Sequence, residues 1–480
     1  MKRQAVLLLC GVMAFSAGAC ASGADESEIS QINIGAPDYS GATGKIVLDS
    51  WIGPLMSEEA YKEYADCGYD RVHFQNTSVH VEGGSGEQSF KTLNEQLDTH
   101  FTLAEKNGID VILAMNARNM NATSATPFEW VDRKLHPTLQ KWKDSDTFYG
   151  YMAYDEPTFA LALEAANPDR LQRAYADVAD YLLDEYIYFS ENYPGKAFET
   201  VLLHSPEIGG TMAYQKAGLN TFDEYLDYYY EKVMQYMPYE ERIYSMDSYA
   251  FGSTGKETYI RDCFFSSLEG MAYKAEERGA EKWCYMMNHA YVDSPAAVLY
   301  QYYSSMAYGY TNFVTYCYRQ AWGQPNCSID TNGNKTDAWY YYQAAHKEVR
   351  SFENVYMQFT DGWQGAIAYG GTESGAGDKP WRANAKLLNS YPRIASFTST
   401  QDALAGIFKD KNGYEGFMIT NQAEPHGNTK NKISVTFRGA QKALIYMNGE
   451  AGKIADTKNG TLELTLKSGG GAFVIPFAEA

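Results

Sequence analysis

Two carboxylates stand side by side in Gly150-Tyr151-Met152-Ala153-Tyr154-Asp155-Glu156-Pro157, where a short apolar run ends. A carboxyl group sheltered by an aromatic ring and a proline loses hydration of its ionised form. Its pKa rises, and it can then hand a proton to a leaving oxygen. Glu156 is the candidate for this acid/base role, with Asp155 and Asp247 as candidate catalytic partners. The same residues also have a structural reading, because acids and proline both suit the first turn of a helix.

Other polar and aromatic residues recur at the ends of short apolar runs. In chain order they are Asp49 and Trp51, His73 with Gln75 and Asn76, Asn116 and Arg118, His204 and Glu207, Asp247 and Tyr249, Asn288 and His289, then Tyr316, Tyr318, Arg319 and Trp322. Such a ring is rich in hydrogen-bonding groups and edged with aromatics, which suits a polyol ligand. Among them Asp49, Trp51, His73, Asn116, Arg118, His204, Tyr249, Asn288, His289, Tyr318 and Trp322 are the candidate ligand contacts. Trp51 and Trp322 could stack on a ring or cap the core. Arg118 could meet an acidic ligand or pair with Asp155 or Glu156. The histidines have no metal-ligand spacing, so neither a metal nor a cofactor is expected.

The elements that must position these groups alternate from residue 45 to 359. Strands are expected over 45–51, 70–76, 110–116, 148–154, 197–204, 242–249, 282–289 and 312–318. Amphipathic helices follow each, over about 57–68, 90–108, 128–143, within 168–192, then 221–237, 257–278, 295–308 and 338–358. Eight such units fit an α/β fold of the (β/α)8 TIM-barrel type, whose active sites lie at the C-terminal ends of the strands. An open doubly wound sheet would instead carry a Gly-rich phosphate turn after an early strand, and the sequence has none. From 360 to 480 short alternating segments separated by Gly, Asn and Lys turns predict an antiparallel β-sandwich. Bracing the barrel is its expected role, with carbohydrate binding as the alternative.

The first twenty residues have a basic head, an apolar stretch and small residues before Cys20, the pattern of a signal peptide. Cleavage before Cys20 would expose it for lipid attachment, although Ala17 stands where such sites usually carry Leu. Residues 21–44 read as a flexible tether. The expected location is the bacterial cell envelope, lipid-anchored, with contact to the membrane through the anchor alone. A net charge of −20 speaks against a nucleic-acid partner. The five cysteines after Cys20 are scattered and odd in number, which favours buried thiols. The chain has 40 tyrosines, but many, such as Tyr225, Tyr228 and Tyr229, fall at helical spacing and are assigned to packing.

The segment around Asp155-Glu156-Pro157 resembles the Asp-Glu-Pro signature of the (β/α)8 glycoside hydrolase superfamily. There an acid/base Glu ends the fourth strand. Met246-Asp247-Ser248-Tyr249-Ala250-Phe251 and Ser305-Met306-Ala307-Tyr308-Gly309-Tyr310 are similar to passages of family 42-like gut-bacterial hydrolases. The resemblance implies a glycosidase acting on a glycan, with Glu156 as general acid/base. The chain departs from the usual retaining pattern at the seventh strand. That strand ends Met286-Met287-Asn288-His289, where a second Glu about 5–5.5 Å from the first is normal.

Three explanations fit this gap. Asp247, or behind it Asp49 or Glu207, could be the partner, and a separation of ~6.5–9.5 Å would make the enzyme inverting. The substrate could supply its own nucleophile, as in the family 20 and 123 hexosaminidases that the Asp155-Glu156 pair resembles. In those, the Asp orients a 2-acetamido group and the Glu protonates the leaving group. Neighbouring strand residues face opposite ways, so this reading requires the strand to break near Pro157. Or the barrel could have lost catalysis and act as a carbohydrate-binding surface lipoprotein.

Overall fold

The computed structural model describes residues 31–74, 87–114, 124–125, 128–159, 163–165, 174–204, 213–254, 257–320, 325–373 and 386–480. Eight strands, Val47–Trp51, Arg71–Phe74, Asp110–Leu113, Phe148–Asp155, Ala197–Leu202, Ile243–Asp247, Glu281–Met287 and Asn312–Tyr316, pair in chain order, and the first closes on the eighth. Every pairing is parallel, from Val47↔Asn312 round to Trp283↔Asn312. The molecule is therefore a (β/α)8 barrel followed by a β-sandwich, as the alternation predicts.

Barrel strands are buried on both faces, so they read as apolar runs rather than as strict alternation. Residues facing outward, such as Leu48, Val72, Val111, Phe198, Tyr244, Cys284 and Phe313, join the core beneath the helices. Those facing inward, among them Trp51, Ile112, Met152, Val201, Trp283, Tyr285 and Val314, form a second cluster inside the barrel. Near the N-terminal end of the barrel the Arg71 guanidinium lies over the Tyr149 ring at 3.5 Å and the Trp283 ring at 4.8 Å.

The helices carry the expected punctuation. Glu58–Cys67 begins at Ser57, whose hydroxyl accepts from the Ala60 N–H, and stops at Gly68 with φ of 101°. Three helical expectations need correction. Residues 257–260 are not helical: Phe251–Thr254 and Glu257–Ile260 pair as a hairpin, and the helix is Cys263–Arg278. The Thr258-Tyr259-Ile260 run favours an extended backbone over a helix. The Tyr-rich helix is Phe222–Lys232, followed by a 3-10 turn. The closing helix breaks at Phe352 into Asp337–Arg350 and Glu353–Tyr356.

The C-terminal region contains a six-stranded antiparallel sheet facing a three-stranded one. Ile394–Ser399, Lys453–Asp456 and Thr461–Leu466 join the strands read from sequence. Each alternates polar and apolar residues or carries charge, so none stands out as an apolar run. The sandwich docks on the barrel helix Pro295–Met306. A Cβ at Gly406 would lie 1.9 Å from the Ala307 carbonyl, and one at Gly469 would lie 2.0 Å from that of Ala296. Only glycine permits this approach. Trp363 Nε1 donates to the Ala307 carbonyl, and Tyr300 donates to Gln422 across the same junction.

Within the expected tether of residues 21–44, the part from about residue 33 onward is packed into the fold. Ile34 bridges Ala478, Tyr39 donates to Asp410, and Gln358 donates to the Thr43 carbonyl. From about residue 33 the chain is part of the fold, because its backbone pairs with the last strand's exit. Cys20 and the signal segment lie outside the described residues.

Candidate active site

At the C-terminal ends of the barrel strands a cavity of about 220 Å³ is lined by Trp51, Asp155, Glu156, Asp247, Tyr249, Tyr285 and Tyr316. All three carboxylates singled out from the sequence meet there. Two local irregularities bring the adjacent Asp155 and Glu156 to one side. The register of the fourth strand slips between Met152 and Tyr154, and Glu156 itself has a left-handed backbone with φ of 51°. A bulge followed by a left-handed residue re-aims side chains that a regular strand would send to opposite faces.

The surroundings hold this turn in place. The Glu156 N–H donates to the Val201 carbonyl at 2.8 Å. Tyr225, fully buried on the Tyr-rich helix, donates to the Pro157 carbonyl at 2.8 Å and accepts from the Leu203 N–H at 3.1 Å. One of the tyrosines assigned to packing therefore also clamps the backbone beside the candidate acid.

The three carboxyls repel one another across a gradient of hydration: Asp247 is buried, Asp155 half-buried, and Glu156, expected from the sequence to be sheltered, is exposed. Burial, with the charges of Glu156 and Glu199 behind it, raises Asp155 to about 8. Burial, then Glu156 and Asp155, pushes Asp247 well above the ordinary carboxylate range. Asp247 and Glu156 are hydrogen-bonded to each other, and Tyr249 also bonds Asp247. A carboxyl hydrogen-bonded to another and flanked by a third resists ionisation, so Asp247 holds its proton.

Aromatic rings form the walls. Trp51 meets Tyr285 edge-on at 5.9 Å, and Tyr249 lies 5.9 Å from Tyr316. His289 stands behind that second pair, 5.5 Å from Tyr316. Burial, with Arg261 nearby, lowers His289 to about 4, so it is neutral at pH 7, and its Nδ1 has no hydrogen-bond partner among the described residues. Two cysteines follow: the Tyr316–Cys317 peptide bond is cis, and Cys317 and Cys327 are buried beside the wall.

Several expected contacts lie elsewhere. Asp49 and His73 are one layer below the cavity and buried. His73 Nδ1 lies 3.2 Å from Asp49 and its Nε2 lies 2.5 Å from Glu199. Burial opposes a charge on His73, but these two carboxylates outweigh it and raise the imidazole to about 10. Glu199 also accepts from Ser245 at 2.6 Å and from Tyr285 at 3.4 Å. Asp49 and His73 are thus committed to an internal ion-pair network, not to a ligand.

Tyr318 points to the helix side of the barrel, edge-on to Tyr64 and Tyr69. Asn288 is buried and donates to Ser328. His204 is half-buried and does not line the cavity. Asn116, Arg118, Trp322 and Glu207, with Gln75 and Asn76, lie outside the described residues. Among the described residues no group of His, Cys, Asp and Glu is arranged to hold a metal. Sequence reasoning missed Glu199 and Tyr285. The signal for Glu199 was an acid in the middle of a run destined for burial, which survives only if paired.

No protein-family model matches the chain, and no curated protein matches it. Among solved structures, one described as a glycoside hydrolase has a TM-score of 0.46 at 10% identity, over 90% of this chain and 92% of that one. A glycoside hydrolase family 5 protein from Bacteroides vulgatus has a TM-score of 0.45 at 11% identity, covering 90% of this chain and 89% of its own. An endo-β-1,4-mannanase from Thermotoga petrophila has a TM-score of 0.39 at 10% identity, over 89% and 97%. The barrel assignment itself rests on the strand pairing described above.

Proposed function

We propose that this chain is a glycoside hydrolase acting on a glycan, with Glu156 as general acid/base and Asp247 as the protonated carboxyl hydrogen-bonded to it. The observation that carries this reading is the hydrogen-bonded Glu156–Asp247 pair in an aromatic-walled cavity at the barrel's catalytic end. The proton that crowding keeps on Asp247 lies within hydrogen-bond reach of Glu156 and is available for delivery to a glycosidic oxygen. The aromatic faces suit the C–H face of a sugar ring.

Glu156 and Asp247 are hydrogen-bonded to each other, which leaves no room between them for the water that an inverting pair activates. The seventh strand ends in Asn288-His289 and offers no carboxylate. These two facts favour a nucleophile carried by the substrate, as a 2-acetamido group would be. Asp155 would then accept the acetamido N–H. Asp155 keeps a proton in the empty pocket; an N–H donor and the cation developing on the sugar stabilise its ionised form, and the proton leaves to solvent. In this proposal the chain is exported and held at the envelope by a lipid on Cys20. Loss of lipid labelling in Cys20→Ser tests that part.

The test of function is a panel of aryl glycosides with and without a 2-acetamido group. Turnover confined to the 2-acetamido members, abolished in Glu156→Gln with binding retained, is the expected result. Binding across the panel without any turnover would overturn the enzymatic reading in favour of a carbohydrate-binding protein.

A further inference from the structure

Cys317 Sγ and Cys327 Sγ lie 3.4 Å apart, both buried, just beyond the pocket wall residue Tyr316. Their approach follows from the backbone. Arg319 and Ile329 form a parallel bridge, fixed by Ile329 N–H donating to the Tyr318 carbonyl at 2.9 Å and Gln320 N–H donating to that of Ile329 at 2.8 Å. Two residues back on each segment, the same register places Cys317 opposite Cys327 with both side chains on one face. Neighbouring strands lie ~4.8 Å apart, within the ~4.4–6.8 Å between Cα atoms that a disulfide needs.

Each segment is also anchored separately. Tyr318 N–H donates to the Trp51 carbonyl at 3.0 Å, and Thr336 Oγ1 donates to that of Cys327 at 2.6 Å. The two sulfurs are therefore held together by structure that does not depend on a bond between them.

From this juxtaposition we infer that Cys317 and Cys327 are a modification site, joined as a disulfide when the chain matures in an oxidising compartment. The odd count of cysteines then resolves into one bridge and three buried thiols, Cys67, Cys263 and Cys284. The thiols differ in kind. Burial raises Cys284 to about 12, whereas the hydrogen bond from Cys317 lowers Cys327 below the ordinary thiol range.

Cys327 thiolate attacks one sulfur of an exchanging disulfide, such as oxidised glutathione or a thiol–disulfide oxidoreductase, and expels one thiolate. Cys317 loses its proton and attacks the Cys327 sulfur of the mixed disulfide, expelling the second. Two cysteine thiols are oxidised and one disulfide is reduced to two thiols. Because both sulfurs are buried in the folded chain, the exchange takes place while the chain folds. The bridge fixes the backbone that carries Tyr316, so it stiffens one wall of the pocket whatever the pocket binds.

The experiment is peptide mapping of the full chain, refolded in oxidised or in reduced glutathione, then denatured and alkylated. Trypsin cuts after Lys282, Arg319 and Lys335, so the disulfide joins peptide 283–319, which carries Cys284 as well as Cys317, to peptide 320–335, and fragmentation shows which sulfur is bridged. The expected result is that pair in most oxidised molecules, with Cys67, Cys263 and Cys284 alkylated, and its loss after reduction. Alkylation of both Cys317 and Cys327 in the oxidised sample overturns the inference, as does pairing of either with another cysteine. Melting adds a second readout: Tm falls by a few degrees on reduction of the unsubstituted chain and of Cys284→Ser, but not of Cys327→Ser. A Tm equal in both redox states of the unsubstituted chain also counts against the bridge. If Cys327→Ser fails to fold, the peptide map decides alone.

Discussion

Two groups of carboxylates lie one layer apart in this barrel, and they are treated in opposite ways. In the lower layer Asp49 and Glu199 flank a charged His73, and Ser245 and Tyr285 satisfy Glu199 further. In the upper layer Asp155, Glu156 and Asp247 face mainly one another, and the pKa values of Asp155 and Asp247 rise. Burial alone does not explain the contrast: Asp49 and Glu199 are fully buried and Asp247 is buried too, while Asp155 is half-buried and Glu156 exposed. The neighbours do: opposite charges fix ionisation below, while like charges above force carboxyls to hold protons they can give away. The lower layer is an internal ion-pair network, and under the proposed function the upper one transfers protons.

The sharpest test removes the candidate acid. Glu156→Gln should lower kcat/KM by about 10²–10⁴-fold while leaving Tm unchanged or raised, because it relieves like-charge crowding. A loss of stability with normal turnover would reverse the roles of the two layers.

The mirror experiment is Glu199→Gln. It leaves His73 buried with one counter-charge fewer, and breaking such a pair costs about 3–5 kcal/mol. Chemical denaturation measures this. Asp247→Asn, by contrast, should cost little stability. Equal effects from the two substitutions would erase the distinction.

The layers also differ in their response to pH. His73 is raised to about 10, so its stabilising effect is complete below its unfolded value of about 6.5 and is lost as pH rises through 10. Glu199→Gln should flatten that slope. Asp155 is raised to about 8, so between about 4 and 8 the unfolded chain releases a proton that the native state keeps. Stability falls over that window, and Asp155→Asn removes the fall. Under the proposed mechanism kcat/KM for a 2-acetamido glycoside rises with pH up to about 8, and Asp155→Asn abolishes that limb.

The smallest effect concerns the brace rather than the site. Gly406→Ala places a methyl against the Ala307 carbonyl and should cost about 1–3 kcal/mol. The midpoint of thermal unfolding should drop with no change in KM.

Much of the barrel was legible because period and punctuation are local properties. The strand runs, the helix start at Ser57 and the Gly68 stop all sit within a few residues of what they control. Glu156 and Asp247 were legible for the same reason, as acids closing apolar runs. Depth was not legible. Asp49 lies two residues before Trp51 on the same inward face, so the period-two repeat sets it one layer lower, where its partner arrives through His73. That partner's other contact, Glu199, comes from across the barrel, and no local pattern joins residues 73 and 199. Likewise, the register slip that lets Asp155 and Glu156 share a cavity belongs to pairing with the fifth strand, not to the fourth strand's own sequence.

The glycine contacts at the barrel–sandwich junction have a practical consequence for anyone wishing to work with a smaller piece. Tyr300, Tyr303, Phe352 and Tyr356 lie in the same continuous core as Phe408 and Phe473. Cutting the chain after residue 359 would strip that cover from the helix Pro295–Met306, which follows the seventh strand and whose Gln301 both donates to the Met287 carbonyl and accepts from its N–H. The excised barrel would expose a greasy flank and loosen a strand that contributes Tyr285 to the pocket. The two parts are a single unit of expression, and trimming should begin at the N-terminal segment before residue 33 instead.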